Sequence, residues 1–200
     1  MIYMMYNNIM QTFLPYAGFD HSAIILDDSR LRKQQTEAEQ ILKVLQNPMA
    51  KGWANHPAVL QWKGYEDSLR GYIFAISNEC IRRGFKGRTI QPPVIGTNPP
   101  WLGREEIHAS HRSRLMFKGR VDAVCSVLKK HLKVRSIVDW LVKNGYPIKN
   151  TFKSDDITRL ESFALGQGLT IPTNFYAQFK WNEPDNIPYV WPVKKKTDDN

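Results

Sequence analysis

The chain has 200 residues, of which 42% are hydrophobic and 24% are charged. A chain of this length and composition can close a hydrophobic core, which excludes a disordered protein. Its longest apolar runs fall far short of the roughly 20 residues that a membrane span needs. The first nine residues lack the basic start and the cleavage site of a signal peptide. We therefore expect a soluble, cytoplasmic protein without membrane contact.

The charge is strongly basic, with 28 Lys and Arg against 19 Asp and Glu and a net charge of +9. A field of this sign attracts polyanions, and nucleic acid is the first of these. Aromatic residues make up 12% of the chain, and several stand beside cations, as in residues 61–65, QWKGY. Cations interleaved with flat rings suit phosphates and unstacked bases.

The two cysteines, Cys80 and Cys125, match no zinc or redox spacing. We expect both to be buried thiols. The sequence predicts neither a metal site nor a cofactor.

In chain order, residues 1–9 precede a second methionine, Met10, and are interpreted as an extension. The first strong helical stripe runs from Asp27 to about residue 46 and ends before Pro48. Asp27 and its two successors are candidate N-caps.

A second helix is predicted from about residue 65 to 83, with Gly84 as its C-cap. Residues 84–103 hold four prolines among glycines, which predicts a long ordered loop pinned by Trp101.

Four more helices are predicted, near residues 104–118, 121–132, 136–144 and 154–166. Almost nothing alternates as a strand would. The sequence predicts an all-α fold with a Pro-rich end and a fraying tail.

The first helix places Arg30, Lys33, Gln34 and Glu37 along one face, at i, i+3, i+4 and i+7. A carboxylate among cations stays ionised, which suits a group that stabilises a developing positive charge or activates a nucleophile. The alternative is an ordinary solvated face with ion pairs.

A short connection between the two strongest helices contains Trp53, Asn55 and His56, followed by Trp62 and Lys63. The functional interpretation is that an indole stacks on a displaced base while Asn55 or His56 bonds to base or phosphate. The alternative is that the indoles close the core and His56 caps the next helix.

Further along, Trp101 is a third candidate for stacking and precedes a run of donors. We interpret these donors as a phosphate clamp at the start of a helix; they are His108, His111, Arg112, Arg114 and Lys118. The histidine pair is not expected to bind a metal, because Arg112 shares its face.

Several ordered motifs resemble one known family. They are Leu26-Asp27, Arg30-Leu31, Lys33-Gln34, Glu37, Gln40-Ile41-Leu42, Asn55-His56-Pro57-Ala58-Val59, Trp62, Gly64-Tyr65-Glu66, Pro100-Trp101-Leu102-Gly103, Ser110-His111-Arg112-Ser113 and Pro188-Tyr189-Val190-Trp191-Pro192. The chain resembles the pyrimidine dimer DNA glycosylase (pyrimidine excise) group, in a bacterial and phage branch that starts with a QTFLPY-like strand. More remotely, it is similar to the phage endonuclease V type of enzyme.

The resemblance implies a compact helical fold that kinks duplex DNA, flips out a nucleotide and breaks an N-glycosidic bond. It sets Glu37 on the catalytic glutamate, and residues 79–85 on the end of the second helix. Three features depart from the family, one of which is the interruption of its pattern by residues 119–173. Nine residues precede Met10, whereas the phage-type enzymes use a freed N-terminal amine, and Gln35 and Thr36 stand where an arginine is usual.

The resemblance also divides the chain. Residues 10–118 and 174–192 form the predicted glycosylase core, and residues 119–173 an inserted helical module with its own apolar residues. The module is expected to extend the DNA footprint or to read groove shape; the alternative is a lid or packing decoration. Residues 1–9 are an extension, and residues 193–200 a flexible tail.

The leading prediction is a monomeric DNA glycosylase that acts on double-stranded DNA and excises a damaged or modified base, with Glu37 acting at the sugar. Arg30, Gln34 and Lys63 are predicted to contact the DNA, together with Asn55, His56 and the donors of the phosphate clamp. The first alternative adds β-elimination through an imine on Lys33 or on an N-terminal amine. The second is a DNA-binding or architectural protein without chemistry.

Overall fold

The computed structural model describes residues 10–47, 49, 52–86, 96–145, 152–185 and 187–192. Every regular element within these residues is helical, so the predicted all-α fold is confirmed. In the same residues no helix is long and apolar enough to cross a membrane. The predictions for residues 1–9, Pro48, residues 87–95 of the Pro-rich loop and the tail from residue 193 fall outside the described residues.

The described chain divides into two compact units. The first unit contains Met10–His111 together with residues 189–192, and the second contains Arg112–Pro188. The predicted glycosylase core and inserted module have other boundaries, at 118/119 and 173/174. As a functional division they stay a prediction.

The first unit is built on a short helix and two long ones. These are α1 (Phe19–Ile25), α2 (Asp28–Gln46) and α4 (Glu66–Arg82), with the single turn α3 (Pro57–Leu60) between the last two. Helix α4 packs against both α1 and α2. Helix α1 was not predicted, because its seven residues are too few to show a periodic stripe.

Local signals account for where the long helices begin and end. Asp27 caps α2 by accepting hydrogen bonds from the backbone N–H groups of Ser29 and Arg30. Helix α4 ends as predicted, because Gly84 adopts a φ of 78° and the N–H of Phe85 turns back to the carbonyl of Cys80.

The second unit has its own apolar core between the later part of α5 (Glu105–Leu132), α6 (Ile137–Lys143) and α7 (Ser154–Gly166). Its buried members include Val121, Leu128, Ile157 and Leu160. The apolar residues predicted for the inserted module lie in this core or against it.

Helix α5 corrects one prediction, since it runs unbroken where two helices were expected. The expected break lay between residues 118 and 121, where Gly119 stands. Instead, a Cβ at this position would lie 1.9 Å from Oδ1 of Asn174, so the glycine permits a close approach within a continuous helix. Asn174 is fixed there by donating a hydrogen bond to the carbonyl of Met116, at 2.8 Å.

Candidate active site

Glu37 lies on α2 and is only 7% exposed. Its carboxylate accepts a hydrogen bond from Nε2 of Gln34, at 2.8 Å from Oε2, and Nζ of Lys33 lies 3.2 Å from Oε1. The predicted helix face is therefore formed. Its carboxylate, however, points into the protein rather than into solvent, which the alternative of an ordinary solvated face does not account for.

Gln34 uses its whole amide inside the protein. Besides its bond to Glu37, Nε2 donates to the carbonyl of Gln11 at 3.0 Å. Oε1 accepts from the N–H of Phe13 at 2.8 Å and from the hydroxyl of Tyr72 at 2.7 Å. With 1% exposure, Gln34 positions Glu37 and offers no group to DNA, so its predicted DNA contact is not retained.

Residues 11–16 belong to no helix, and they pair with no strand among the described residues. Side chains bind their backbone instead. Gln34, Tyr72 and Tyr189 bind residues 11–13, and His108 and His111 bind the carbonyl and the N–H of Leu14, both at 2.7 Å. The strand implied by the resemblance thus pairs with no other strand among the residues that the structure describes, and side chains satisfy the backbone polar groups of residues 11–14 instead.

A series of aromatic rings leads from the surface towards the interior of the first unit. The exposed Trp53 contacts His56 at 5.0 Å between ring centroids, and His56 contacts Trp191 at 5.6 Å. Trp191 meets Tyr189 at 4.4 Å, and Tyr189 stacks on His111 at 4.5 Å. These five rings are called the aromatic series below.

The aromatic series meets the surroundings of Glu37 at Tyr189. Burial, and then the negative charge of Glu37, raise the pKa of the Tyr189 hydroxyl well above its ordinary value. Burial, then the repulsion that an ionised Tyr72 would meet from an ionised Tyr189, and the charge of Glu37, raise the pKa of Tyr72 in the same way. Both hydroxyls therefore stay protonated near neutral pH and act as donors, Tyr189 to the carbonyl of Thr12 and Tyr72 to Gln34 or Phe13.

Two of the predicted stacking residues belong to the core. Trp62 is fully buried, with its indole N–H on Oγ1 of Thr12, and Trp101 packs edge-on against it while donating to the carbonyl of Gln61. Neither ring has a face open to a base, so their predicted stacking is not retained. Trp53, at 42% exposed, remains a candidate.

The residues of the predicted phosphate clamp do not form one surface of free donors, because several of them bind groups within the protein. His108 and His111 are buried against Leu14, and Arg112 pairs with Glu183. Arg114, in the second unit, is half-buried, and its guanidinium lies over the ring of Phe117, at 5.2 Å from the centroid. Lys118 is half-buried on the same helix. The two histidines and Arg112 therefore hold the fold, and we do not retain them as DNA contacts.

The other predicted contacts lie nearer the surface. Arg30 is bound to the capping carboxylate of Asp27, and the side chain of Lys33 is 35% exposed beside Glu37. Asn55 and Lys63 are exposed. His56 caps α3 through Nδ1, whereas its alternative interpretation predicted a cap on the second predicted helix, α4; His56 also belongs to the aromatic series.

The site contains residues that sequence reasoning did not assign to it. Tyr72 was predicted only as part of the helix from about residue 65 to 83, and Gln11 only as part of the QTFLPY-like strand. Tyr189 and Trp191 stood within a motif of the resemblance. No local pattern connects residues 11, 72 and 189, because only the folded chain brings them to one carboxylate.

The comparisons with known proteins agree with the resemblance. Residues 10–90 match the model of the family described as pyrimidine dimer DNA glycosylase, which confirms the predicted resemblance over that segment. No curated protein and no solved structure matches the chain. The matched segment contains Glu37, Gln34, Lys33 and the turn with Trp53 and His56.

Proposed function

We propose that the protein is a DNA glycosylase that flips a damaged or modified pyrimidine out of duplex DNA and cleaves its N-glycosidic bond. The observation that carries this proposal is the buried carboxylate of Glu37. It lies within the segment that matches the glycosylase family, and Gln34 and Lys33 hold it in place.

The chemistry fits this position. Breaking an N-glycosidic bond develops positive charge at C1′ of the sugar, and a fixed carboxylate stabilises such a charge strongly in a site that excludes water. The ion pair with Lys33 and the hydrogen bond from Gln34 favour the ionised form of Glu37. Glu37 then either stabilises the oxocarbenium-like transition state or orients a water molecule.

The aromatic series supplies the other half of the site. A flipped base must exchange stacking within the duplex for stacking on protein, and aromatic rings provide about 1–3 kcal/mol per base. Trp53 at the exposed end and Trp191 behind His56 are the candidates for this contact. Asn55 and Lys63, both exposed, are candidates for contacts to the backbone of the DNA.

One arrangement keeps the bifunctional alternative open to test. A single side-chain nitrogen, Nε2 of Gln34, bonds both to the carbonyl of Gln11 and to Glu37. The backbone of residue 11 is therefore two hydrogen bonds from the candidate carboxylate. An amine at that position, or that of Lys33, could form an imine with the sugar.

The test compares the protein with Glu37→Gln on UV-irradiated duplex DNA. The substitution removes charge but little volume, so we expect binding to stay within a few-fold while base release falls on the order of a hundredfold or more, or about 2.7 kcal/mol. Glu106→Gln, which alters an exposed carboxylate of the same unit, is the matched control and should retain full release.

Each other result has a distinct meaning. Unchanged release in Glu37→Gln would remove Glu37 as the catalytic group. Binding without any release by the unaltered protein would favour the architectural alternative. Strand cleavage with a borohydride-trapped adduct would favour the bifunctional one. Loss of that adduct in Lys33→Gln would assign it to Lys33, and its appearance only in a chain starting at Gln11 would assign it to the terminal amine.

A further inference from the structure

The end of α5 carries a concentration of positive charge in the second unit. Lys129, Lys130, Lys133 and Arg135 fall within seven residues, and no acidic residue stands between Asp122 and Asp139. Lys129 and Lys130 lie in the last turn, where the negative end of the helix dipole stabilises cations. Lys133 and Arg135 lie beyond the helix, so the dipole alone does not explain the cluster.

The three lysines line one cavity of about 430 Å³. Asp122, Cys125, Ser126 and Val134 complete its lining. Three cations therefore share one concave surface with a single carboxylate, which gives the cavity a net positive charge. We call this cavity the lysine groove.

The backbone at Lys133 provides a second, independent observation. Lys133 adopts a φ of 52°, in the left-handed region that ends many helices and that glycine or asparagine usually occupies. The N–H of Val134 closes the helix end on the carbonyl of Lys129, at 3.2 Å. A lysine at this position costs some stability relative to glycine, and it adds the third cation to the groove.

Among the residues that the structure describes, two arginines elsewhere in the same unit form ion pairs, whereas the cations of this cluster do not. Arg112 pairs with Glu183, and Arg120 pairs with both Glu161 and Asp185. Within the described part of the second unit, no ion pair involves Lys129, Lys130, Lys133 or Arg135. The paired arginines join segments of the fold, whereas the cations of the lysine groove remain available to an external anion.

We propose that the lysine groove binds the phosphate backbone of duplex DNA, as a contact surface separate from the candidate active site. The inference rests on the proposed function, which makes duplex DNA the partner. Evenly spaced phosphates suit several ammonium groups in a row, because each phosphate neutralised releases condensed counterions. The groove reads no sequence and adds affinity to duplex DNA of any sequence.

The test removes the three charges of the groove together, in Lys129→Gln/Lys130→Gln/Lys133→Gln. The matched control removes three exposed charges of the same unit outside the groove, in Lys143→Gln/Arg159→Gln/Lys180→Gln. The equilibrium Kd for lesion-free DNA is measured against salt on duplexes of about 12 and about 30 base pairs. Circular dichroism and thermal unfolding establish that both variants are folded.

We expect the groove variant to lower the slope of log Kd against log salt by about 2 to 3 on the long duplex, since each phosphate contact contributes about 0.9. The control should lower the slope by less than 1. Equal losses in the two variants, or no loss in the groove variant, would overturn the proposal. A loss seen on an RNA duplex but absent on DNA would also overturn it.

The same proteins separate this inference from the proposed function. Suppose that the unaltered chain releases no base from UV-irradiated DNA, while the slope of log Kd against log salt falls in the groove variant but not in the control. The groove is then supported and excision is not. If base is released and the groove variant keeps its slope, excision is supported and the groove is not.

Discussion

The two units reach stability by different routes. In the first, residues 11–14 pass through the interior, and side chains from α2, α4 and α5, together with Tyr189, bind their backbone. In the second, the core consists mainly of aliphatic side chains from three helices, and Arg112 and Arg120 form ion pairs with carboxylates. Buried hydrogen bonds fix one geometry, which suits a site that must hold a carboxylate in place. An apolar core tolerates more change in sequence, which suits a scaffold.

The largest effect should follow from removing the amide that organises the first unit. Gln34→Leu leaves the N–H of Phe13, the carbonyl of Gln11 and the hydroxyl of Tyr72 with fewer partners. Each buried polar group left unsatisfied costs about 1–3 kcal/mol, so we expect a loss on the order of 4 kcal/mol in the free energy of unfolding. Urea unfolding measures this loss.

Gln40→Leu, on the exposed side of the same helix, is the control and should change stability by less than about 0.5 kcal/mol. If the two variants were equally stable, the first unit would not depend on its buried polar groups as the comparison states.

A somewhat smaller effect is expected from a cavity in the second unit. Leu128 is 1% exposed in the centre of the apolar core, and Leu128→Ala should cost about 3 kcal/mol. Leu165→Ala, at an exposed leucine on α7, should cost far less. Urea unfolding measures both costs. A cost below 1 kcal/mol for Leu128→Ala would show that the core is loosely packed.

The smallest effect concerns a buried ion pair of the first unit and depends on pH. Hydrogen bonds from Arg82 and then Arg83 hold the pKa of Glu79 below its ordinary value, although burial opposes them. Because the folded pKa is the lower one, the ionised carboxylate stabilises the fold above the unfolded pKa. That contribution is lost as the pH falls through the folded pKa.

We therefore expect Glu79→Gln to cost about 2 kcal/mol at pH 7, and the difference from the unaltered protein to shrink below about pH 4. Asp67→Asn, in an exposed pair with Arg70, should show little cost at either pH. A difference that stays constant from pH 7 to pH 3 would contradict the assignment.

Local sequence signals were sufficient for most of the helices. Asp27, Gly84 and Ser136 mark helix ends by chemistry that acts within a few residues, and the structure confirms each. The predicted break near Gly119 was wrong, because the missing side chain there makes room for Asn174, 55 positions away in the chain. Signals that depend on distant partners are not visible in a local window.

The candidate site shows the same limit more strongly. The spacing of Lys33, Gln34 and Glu37 predicts a shared face, and the structure confirms that face. The spacing does not distinguish a residue that holds the fold from one that meets a ligand. For this reason Trp62, His108 and Gln34 were predicted as DNA contacts although folding buries them.

The two histidines that bind Leu14 impose opposite tautomers on adjacent turns of α5. His108 accepts the N–H of Gly103 at Nε2, so a neutral ring carries its proton on Nδ1 and donates it to the carbonyl of Leu14. His111 accepts the N–H of Leu14 at Nδ1, so its proton sits on Nε2. Nitrogen-15 spectra of the imidazoles distinguish these forms. The carbonyl and the N–H of Leu14 thus each require one particular tautomer of a histidine. A doubly protonated His108 would point an N–H at the N–H of Gly103, and a doubly protonated His111 would point one at the N–H of Leu14.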